Sequence, residues 1–287
     1  MTRRGARAVW VRGLLSRCSR VSWRGRPRPL LIGEFLVVLC LLRVYDFVRA
    51  HAEVRAGAAM QHGHNLLQTE ALLRIDIEHG LNHWAERHHL VTFLASHWYQ
   101  FAHVPVTLCV LGWIWVRHPT GYRRARNALV LVNLIGLAVF LLLPVAPPRL
   151  LPNAGFIDSV ANAGFGPNHG GPIKADQYGA MPSLHLAWAV WSTVVVRRFV
   201  ALRALRLCWL VYPALTTVAV VLTGNHYLLD AAVGTAVALF ALAMWPSGPA
   251  AAIIAAAPAT TPLLPVKELA VKDLPVHPVP ALMDVSP

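Results

Sequence analysis

The sequence predicts an all-α membrane protein, a bundle of six transmembrane helices with an amphipathic segment at the membrane surface. Hydrophobic residues make up 56% of the 287 residues and charged residues 14%, with a mean hydropathy of +0.50. Soluble domains carry about 25% charged residues. Apolar runs close to the ~20 residues that cross a bilayer recur along the chain. Arginines cluster in alternate connections between those runs, which is typical of a polytopic membrane protein.

The chain divides into three predicted parts. Residues 1–29 carry nine arginines and no acid; no small-residue cleavage site follows, so we expect an uncleaved cytoplasmic tail. Residues 30–245 form the membrane domain. The Ala- and Pro-rich residues 246–287 are expected to be a disordered cytoplasmic tail. The predicted spans are residues 30–48, 92–116, 128–143, 184–196, 207–222 and 227–245.

Residues 51–90 are predicted to lie at the membrane interface rather than to span it. The apolar face of this segment consists of Leu66, Leu67, Leu72, Leu73, Ile75 and Ile77. His79 and His83 have the i,i+4 spacing of metal ligands on a helix, but no HExxH arrangement accompanies them. A solvated polar face explains them equally well, so neither a metal nor a cofactor is predicted.

Charge placement predicts the orientation of the bundle. With six spans, both termini lie on one side together with residues 117–126 and 197–206, which contain arginines and no acid. The opposite connections, residues 50–90 and 146–180, mix basic and acidic residues. The positive-inside rule then places both termini in the cytoplasm and the protein in the cell membrane.

Two other classes of protein fit the composition poorly. The formal charge of +13 lies beside hydrophobic spans, which favours lipid contact over nucleic-acid binding. The four cysteines are far apart, and we expect buried thiols rather than a disulfide framework. They are Cys18, Cys40, Cys109 and Cys208.

A histidine and an aspartate stand together at the start of the last apolar run. His226 and Asp230 have i,i+4 spacing, which makes their side chains neighbours on a helix. A carboxylate on one ring nitrogen fixes the tautomer and raises the basicity of the other nitrogen, which prepares an imidazole as a nucleophile. The alternative is a pair that only ties down a helix end.

Two other segments bring polar groups to the same end of the bundle. Ser183 and His185 open the fourth span after Pro182; a helix start of this kind binds phosphate, and a histidine there suits a general acid. Arg149 follows the third span among prolines, where a guanidinium can grip a phosphate, although a snorkelling interfacial arginine is the alternative. His103 in the second span either packs as a polar residue within the bundle or lines the substrate cavity.

Together these residues provide an anion clamp, a nucleophile with its orienting carboxylate, and an acid. That set suits phosphoryl transfer from a lipid phosphate at a membrane surface. A transporter or lipid-binding protein with the same polar cavity is the main alternative. An intramembrane serine protease using Ser183 and His226 would leave Arg149 unexplained.

Three segments resemble the type 2 phosphatidic acid phosphatase (PAP2) superfamily, and in particular its branch that includes inositol phosphorylceramide synthases. They are residues 146–152 (APPRLLP), 181–185 (MPSLH) and 224–230 (GNHYLLD). The resemblance covers about residues 30–245. It implies a six-helix core and metal-independent catalysis on a lipid phosphate, released to water or passed to an alcohol such as inositol. It also implies that His226 is the nucleophile, supported by Asp230, and that His185 is the acid.

The resemblance further implies that Ser183 and Arg149 hold the phosphate. Asn225, next to His226 in the sequence, is a further candidate for the substrate cavity. The chain departs from the broad family pattern at several motif positions, where it carries Leu142, Leu150, Leu184, Ala219 and Val220. Two of the usual phosphate-binding cations are therefore missing. Lys174 or His169, in the long connection before the second motif, is a candidate replacement.

Overall fold

The computed structural model describes residues 21–23, 26–167 and 176–244. Most of the predicted N-terminal tail and the predicted C-terminal tail after residue 245 lie outside these ranges. Ten α-helices form most of the described chain: α1 Leu31–Val54, α2 Ala56–Leu73, α3 Glu78–Glu86, α4 His89–Phe101, α5 His103–Arg117, α6 Pro119–Leu142, α7 Leu184–Phe199, α8 Arg203–Cys208, α9 Val211–Leu222 and α10 Leu228–Met244.

Short elements complete the described fold. A 3₁₀ turn covers Pro148–Leu150 and a π-helical turn covers Ala161–Phe165. Strands β1 (Val21–Trp23) and β2 (Arg26–Arg28) pair in antiparallel fashion. Apart from this small ladder, the predicted all-α class is confirmed for the described residues.

Some of the helices are long and apolar enough to cross a membrane. By length and composition these are α6 (Pro119–Leu142) and the stretch Arg203–Leu222, which joins α8 and α9. The pair α4 and α5 is a third candidate if it is one broken span, because its two parts meet at an angle of 46°. Helix α10 is apolar but shorter, at 17 residues.

Two connections differ from the sequence-based expectation. The predicted second span, residues 92–116, is broken between α4 and α5. Pro105 explains the break, because a proline lacks an N–H group and clashes with the carbonyl four residues earlier, here that of Phe101. The arginine-rich residues 119–126, expected to be a turn, are the first turns of α6, since Pro119 occupies its first position and nothing interrupts the helix after it.

The predicted interfacial segment consists of two helices, α2 and α3, separated by Arg74 in a left-handed conformation. Two of its acids are fully buried, Glu70 and Glu78, whereas Leu72 is 85% exposed. Leu66 and Leu67 of the same segment pack against a hydrophobic cluster. The expectation of buried thiols is wrong for Cys40, Cys109 and Cys208, which lie on outward-facing surfaces of their helices.

Helix α7 lies at the centre of the bundle, where it packs against α5, α6, α9 and α10. Trp191 of α7 is fully buried and donates from its indole N–H to the carbonyl of Ala125 in α6, 2.9 Å away. Ile114 of α5 and Ala238 of α10 belong to the same hydrophobic core. This packing brings the amino-terminal ends of α7 and α10 together.

Candidate active site

His226 lies just before α10, and its ring is held by hydrogen bonds at Nδ1. Nδ1 is 3.1–3.2 Å from the two carboxylate oxygens of Asp230 and 3.1 Å from the carbonyl oxygen of Ala180. Carboxylates and carbonyls only accept hydrogen bonds, so in the neutral ring Nδ1 carries the proton and Nε2 carries the lone pair. Asp230 is fully buried and also accepts from the backbone N–H of Tyr227 at 3.0 Å.

His185, in the first turn of α7, contacts the other side of His226. Its Nδ1 lies 3.3 Å from His226 Nε2, and because Nε2 has no hydrogen, His185 is the donor. The His185 ring stacks on Tyr99 at 4.4 Å and meets the edge of His103 at 4.1 Å. Both of these residues come from the break between α4 and α5, which therefore forms one wall of the site.

Ser183 caps α7 and joins it to α10. Its hydroxyl oxygen accepts from the backbone N–H of Leu186 at 3.4 Å, as expected for an N-cap serine. Its own backbone N–H donates to the carbonyl of Asp230 at 3.1 Å. Gly234 of α10 lies directly against it, since a Cβ there would sit 2.3 Å from the Ser183 carbonyl oxygen. The two helix starts are therefore locked together by backbone contact.

Arg149 is held by three loop residues. Nε donates to Asn225 Oδ1 at 2.8 Å, Nη1 to Asp158 Oδ2 at 2.8 Å, and Nη2 to Gln177 Oε1 at 2.6 Å. The arginine side chain is only 3% exposed. A guanidinium has five N–H groups, so these contacts leave two N–H groups as donors for a further anion.

The turn before His226 connects it to Arg149. Gly224 has φ +67, and a Cβ there would lie 3.1 Å from the carbonyl oxygen of Ile157, so a side chain is excluded by both strain and space. The Gly224 carbonyl accepts from the backbone N–H of Arg149 at 3.0 Å. Asn225 donates to the carbonyl of Thr223 at 3.2 Å while it accepts from Arg149, which fixes the amide between the guanidinium and the imidazole.

Two buried glutamates support the first turn of α10. Glu78 Oε1 accepts from the N–H of Leu228 at 2.9 Å, and Glu70 Oε1 accepts from the N–H of Leu229 at 2.7 Å. The positive end of a helix favours such carboxylates. Burial raises the pKa of Glu70 to about 8, and the neighbouring carboxyl group of Glu78 contributes to the rise. Two adjacent buried carboxylates are best satisfied when they share a proton.

The structure brings most of the predicted site residues together. His226, Asp230, His185 and His103 form one connected group, Arg149 reaches it through Asn225, and Ser183 caps the helix that carries His185. Lys174 and His169 lie outside the described residues. His83, weighed as a metal ligand, contacts the carbonyl of Gly155 at 2.7 Å.

Sequence reasoning missed five residues that shape the site: Tyr99, Asp158, Gln177, Glu70 and Glu78. Tyr99 had a usable signal, because it is four residues before His103 and therefore shares its helix face. The two glutamates had no distinct signal, because they stand among other acidic and basic residues of the segment 51–90. Asp158 and Gln177 lie in irregular chain, where no hydrophobic periodicity predicts which residues are neighbours.

The arrangement provides a lone-pair nitrogen, a proton donor and a cation within one group, which is a set of roles suited to transfer of a phosphoryl group. No curated protein and no solved structure matched the chain. The family model of the PAP2 superfamily, whose members are phosphatases and phosphotransferases, matches residues 64–244, which is more than half of the chain. The matched range contains every residue of the group described above, and the chain belongs to the PAP2 superfamily.

Proposed function

We propose that the chain is a membrane phosphatase or phosphotransferase that acts on a lipid phosphate through a phosphohistidine at His226. The single observation that carries the proposal is the polarised imidazole: Nδ1 is bound to Asp230 and Ala180, so the lone pair is on Nε2. Family membership supports phosphatase-type activity on phosphate esters. The proposed enzyme has six spans, cytoplasmic termini and an active site on the outer side of the cell membrane.

In the first step, His226 Nε2 attacks phosphorus and the bond from phosphorus to the lipid oxygen breaks. The leaving oxygen takes the proton from His185, and the lipid alcohol departs. Asp230 stabilises the positive charge that develops on the phosphorylated ring through the Nδ1 hydrogen bond. Reacting atoms approach to about 3–3.5 Å, so the His185 ring, now 3.3 Å from Nε2, moves aside when the phosphate enters.

In the second step, water or an alcohol attacks phosphorus and the bond to Nε2 breaks. His185, now neutral, takes the proton from the attacking oxygen, and both histidines return to their starting state. Attack by water releases inorganic phosphate, whereas attack by an alcohol makes a phosphodiester if the transferred group already carries an ester. The chemistry of the two histidines is the same in both cases.

The remaining residues hold the phosphate. The two remaining N–H groups of Arg149 bind its oxygens, and Ser183 adds its hydroxyl hydrogen, because its oxygen already accepts from Leu186. Asn225 keeps the guanidinium in register with the imidazole. His103 forms part of the cavity wall behind His185, and Lys174 or His169 is the candidate for a further cation.

An inositol phosphorylceramide synthase-like transferase is the alternative within the same chemistry, with an alcohol acceptor replacing water. The relaxed first motif, with Leu142 and Leu150 at positions that the broader family fills differently, favours it. A lipid transporter or lipid-binding protein is the non-enzymatic alternative, because a polar pocket at membrane depth serves either purpose.

Purified protein is tested on a panel of lipid phosphates with EDTA present. We expect phosphate release that survives the chelator, and loss of release in both His226→Ala and His185→Ala. Acid-labile, base-stable labelling of the wild-type protein by ³²P-labelled substrate would report the phosphohistidine. Adding inositol and detecting an inositol phosphate identifies the transferase. Wild-type turnover in both histidine variants would refute the proposal.

A further inference from the structure

The end of α7 remote from His185 contains a second polar feature. A cavity of about 290 Å³ is lined by Val194, Arg197, Arg198, Val200 and Arg206, and we call it the arginine cavity. Helix α7 has 16 residues, which at 1.5 Å per residue separates this cavity from His185 by about 20 Å. The cavity is therefore distinct from the candidate active site.

Three arginines line this cavity, and none of the described residues that line it carries a carboxylate. The lining contains no acid, and the sequence contains no Asp or Glu between Asp176 and Asp230. Within the described chain, Arg197 Nε is buried and has no hydrogen-bond partner. A buried donor without a partner destabilises the fold, and an anion in the cavity would supply that partner to Arg197 Nε.

Exposed leucines lie next to the cavity-lining residues along the chain. Leu205 and Leu207 of α8 are 42% and 52% exposed, and Leu202 just before α8 is 65% exposed. Such leucines at the edge of a membrane bundle contact acyl chains. A ligand that combines a phosphate with acyl chains fits both surfaces, whereas a free anion would use only the cations.

We propose that the arginine cavity binds the phosphate of an anionic glycerophospholipid, whose acyl chains lie along the exposed leucines beside α8. The volume of about 290 Å³ is at the lower end of the range for ligand pockets, which suits a headgroup rather than a whole lipid. Guanidinium groups bind phosphate oxygens in bidentate geometry. The bound lipid bridges α7 and α8 and stabilises the bundle at this end.

The test measures thermal unfolding of the full chain in mixed micelles that contain phosphatidylglycerol, phosphatidylcholine or inorganic phosphate. We expect a dose-dependent rise in Tm with phosphatidylglycerol and none with phosphatidylcholine. Arg197→Gln and Arg206→Gln should each weaken the apparent affinity for phosphatidylglycerol about fivefold, and the double variant more strongly. Arg203→Gln is the matched control, because Arg203 has the same charge and begins α8 but does not line the cavity.

Three outcomes would overturn the proposal. The first is no rise in Tm with phosphatidylglycerol. The second is an equal loss of affinity in Arg203→Gln, which would show a diffuse charge effect instead of a site. The third is equal stabilisation by inorganic phosphate, which would assign the cavity to a free anion. If Arg197→Gln does not fold, Arg206→Gln on the exposed helix α8 decides the question, with lipid binding measured by native mass spectrometry.

Discussion

The two halves of the candidate site are held in different ways. The imidazole half, formed by His226, Asp230 and His185, is carried by the starts of α7 and α10, which meet through backbone contacts. The guanidinium half, formed by Arg149 with Asp158 and Gln177, is carried by turns and irregular chain. Groups on packed helices are positioned more rigidly than groups on loops.

This difference separates the reaction from the recognition of the substrate. The imidazole half contains every group that exchanges a proton or forms a bond in the proposed reaction. The guanidinium half only binds charge, and loops tolerate substitution and insertion better than helix packing does. We therefore expect changes in the imidazole half to reduce kcat, and changes in the guanidinium half to act on both KM and kcat.

The largest effect is expected from His226→Ala. Removing the nucleophile should lower kcat for phosphate release by about 10⁴-fold or more. Tm should also fall, because the ring is buried and its loss leaves the buried Asp230 carboxylate without that hydrogen-bond partner. The control is His51→Ala, whose ring contacts the Phe47 carbonyl on an exposed face of α1. Retention of a tenth of wild-type turnover in His226→Ala would place the chemistry elsewhere.

Arg149→Lys should have the next largest effect. An ammonium cannot reach Asn225, Asp158 and Gln177 at once and loses the fork geometry, so we expect kcat/KM to fall about 10²-fold with a rise in KM. Arg55→Lys is the control, since Arg55 donates to the Leu141 and Leu142 carbonyls at an exposed position. If Arg149→Lys lowers kcat without affecting KM, the arginine acts only in the transition state and the proposed division between the halves is wrong.

Gly234→Ala tests the contact that locks the imidazole half. The new Cβ would sit 2.3 Å from the Ser183 carbonyl oxygen, so α7 and α10 must separate, at a cost of about 1–3 kcal/mol. We expect a lower Tm together with a moderate loss of kcat, because His185 and His226 move apart. Gly112→Ala on α5, where a Cβ meets no atom within 4 Å, should leave kcat unchanged and keep or slightly raise Tm, because alanine favours a helix more than glycine does. An unaltered Tm in Gly234→Ala would show that this helix contact is loose.

The same contrast explains how much could be predicted from the sequence. His226 and Asp230 could be recognised because i,i+4 spacing on a helix makes them neighbours, and Ser183 because N-cap positions favour serine. The partners of Arg149 could not, since Asp158 and Gln177 are 9 and 28 residues away from it in irregular chain. The break at Pro105 was underestimated because the apolar run continues through it.

The burial of Glu70 and Glu78 was missed for a related reason. The periodicity of residues 51–90 correctly indicates an amphipathic segment, but it does not say which face meets the protein. Here the N–H groups at the start of α10 need acceptors, and the polar face supplies them. These hydrogen bonds therefore favour burial of the two glutamates, while Leu66 and Leu67 of the same segment pack against a hydrophobic cluster.

The smallest effect is expected from Glu70→Gln. Glu70 accepts a hydrogen bond at the start of α10, and its charge depends on pH. The pKa of Glu70 is raised to about 8 from 4.5, mainly by burial. Between these values the folded protein holds a proton that the unfolded chain has lost, so the free energy of unfolding decreases as pH rises from about 5 to 8. In Glu70→Gln the amide stays neutral, accepts from Leu229 and donates to Glu78, so Tm should depend less on pH. At pH 8 the Tm values of the variant and the wild type should differ by about 2–4 °C for each kcal/mol of difference in the free energy of unfolding.

The control is Glu53→Gln, at an exposed position on α1, which should keep the wild-type dependence of Tm on pH. An identical slope of Tm against pH in Glu70→Gln and the wild type would mean that Glu70 is already ionised in the folded state.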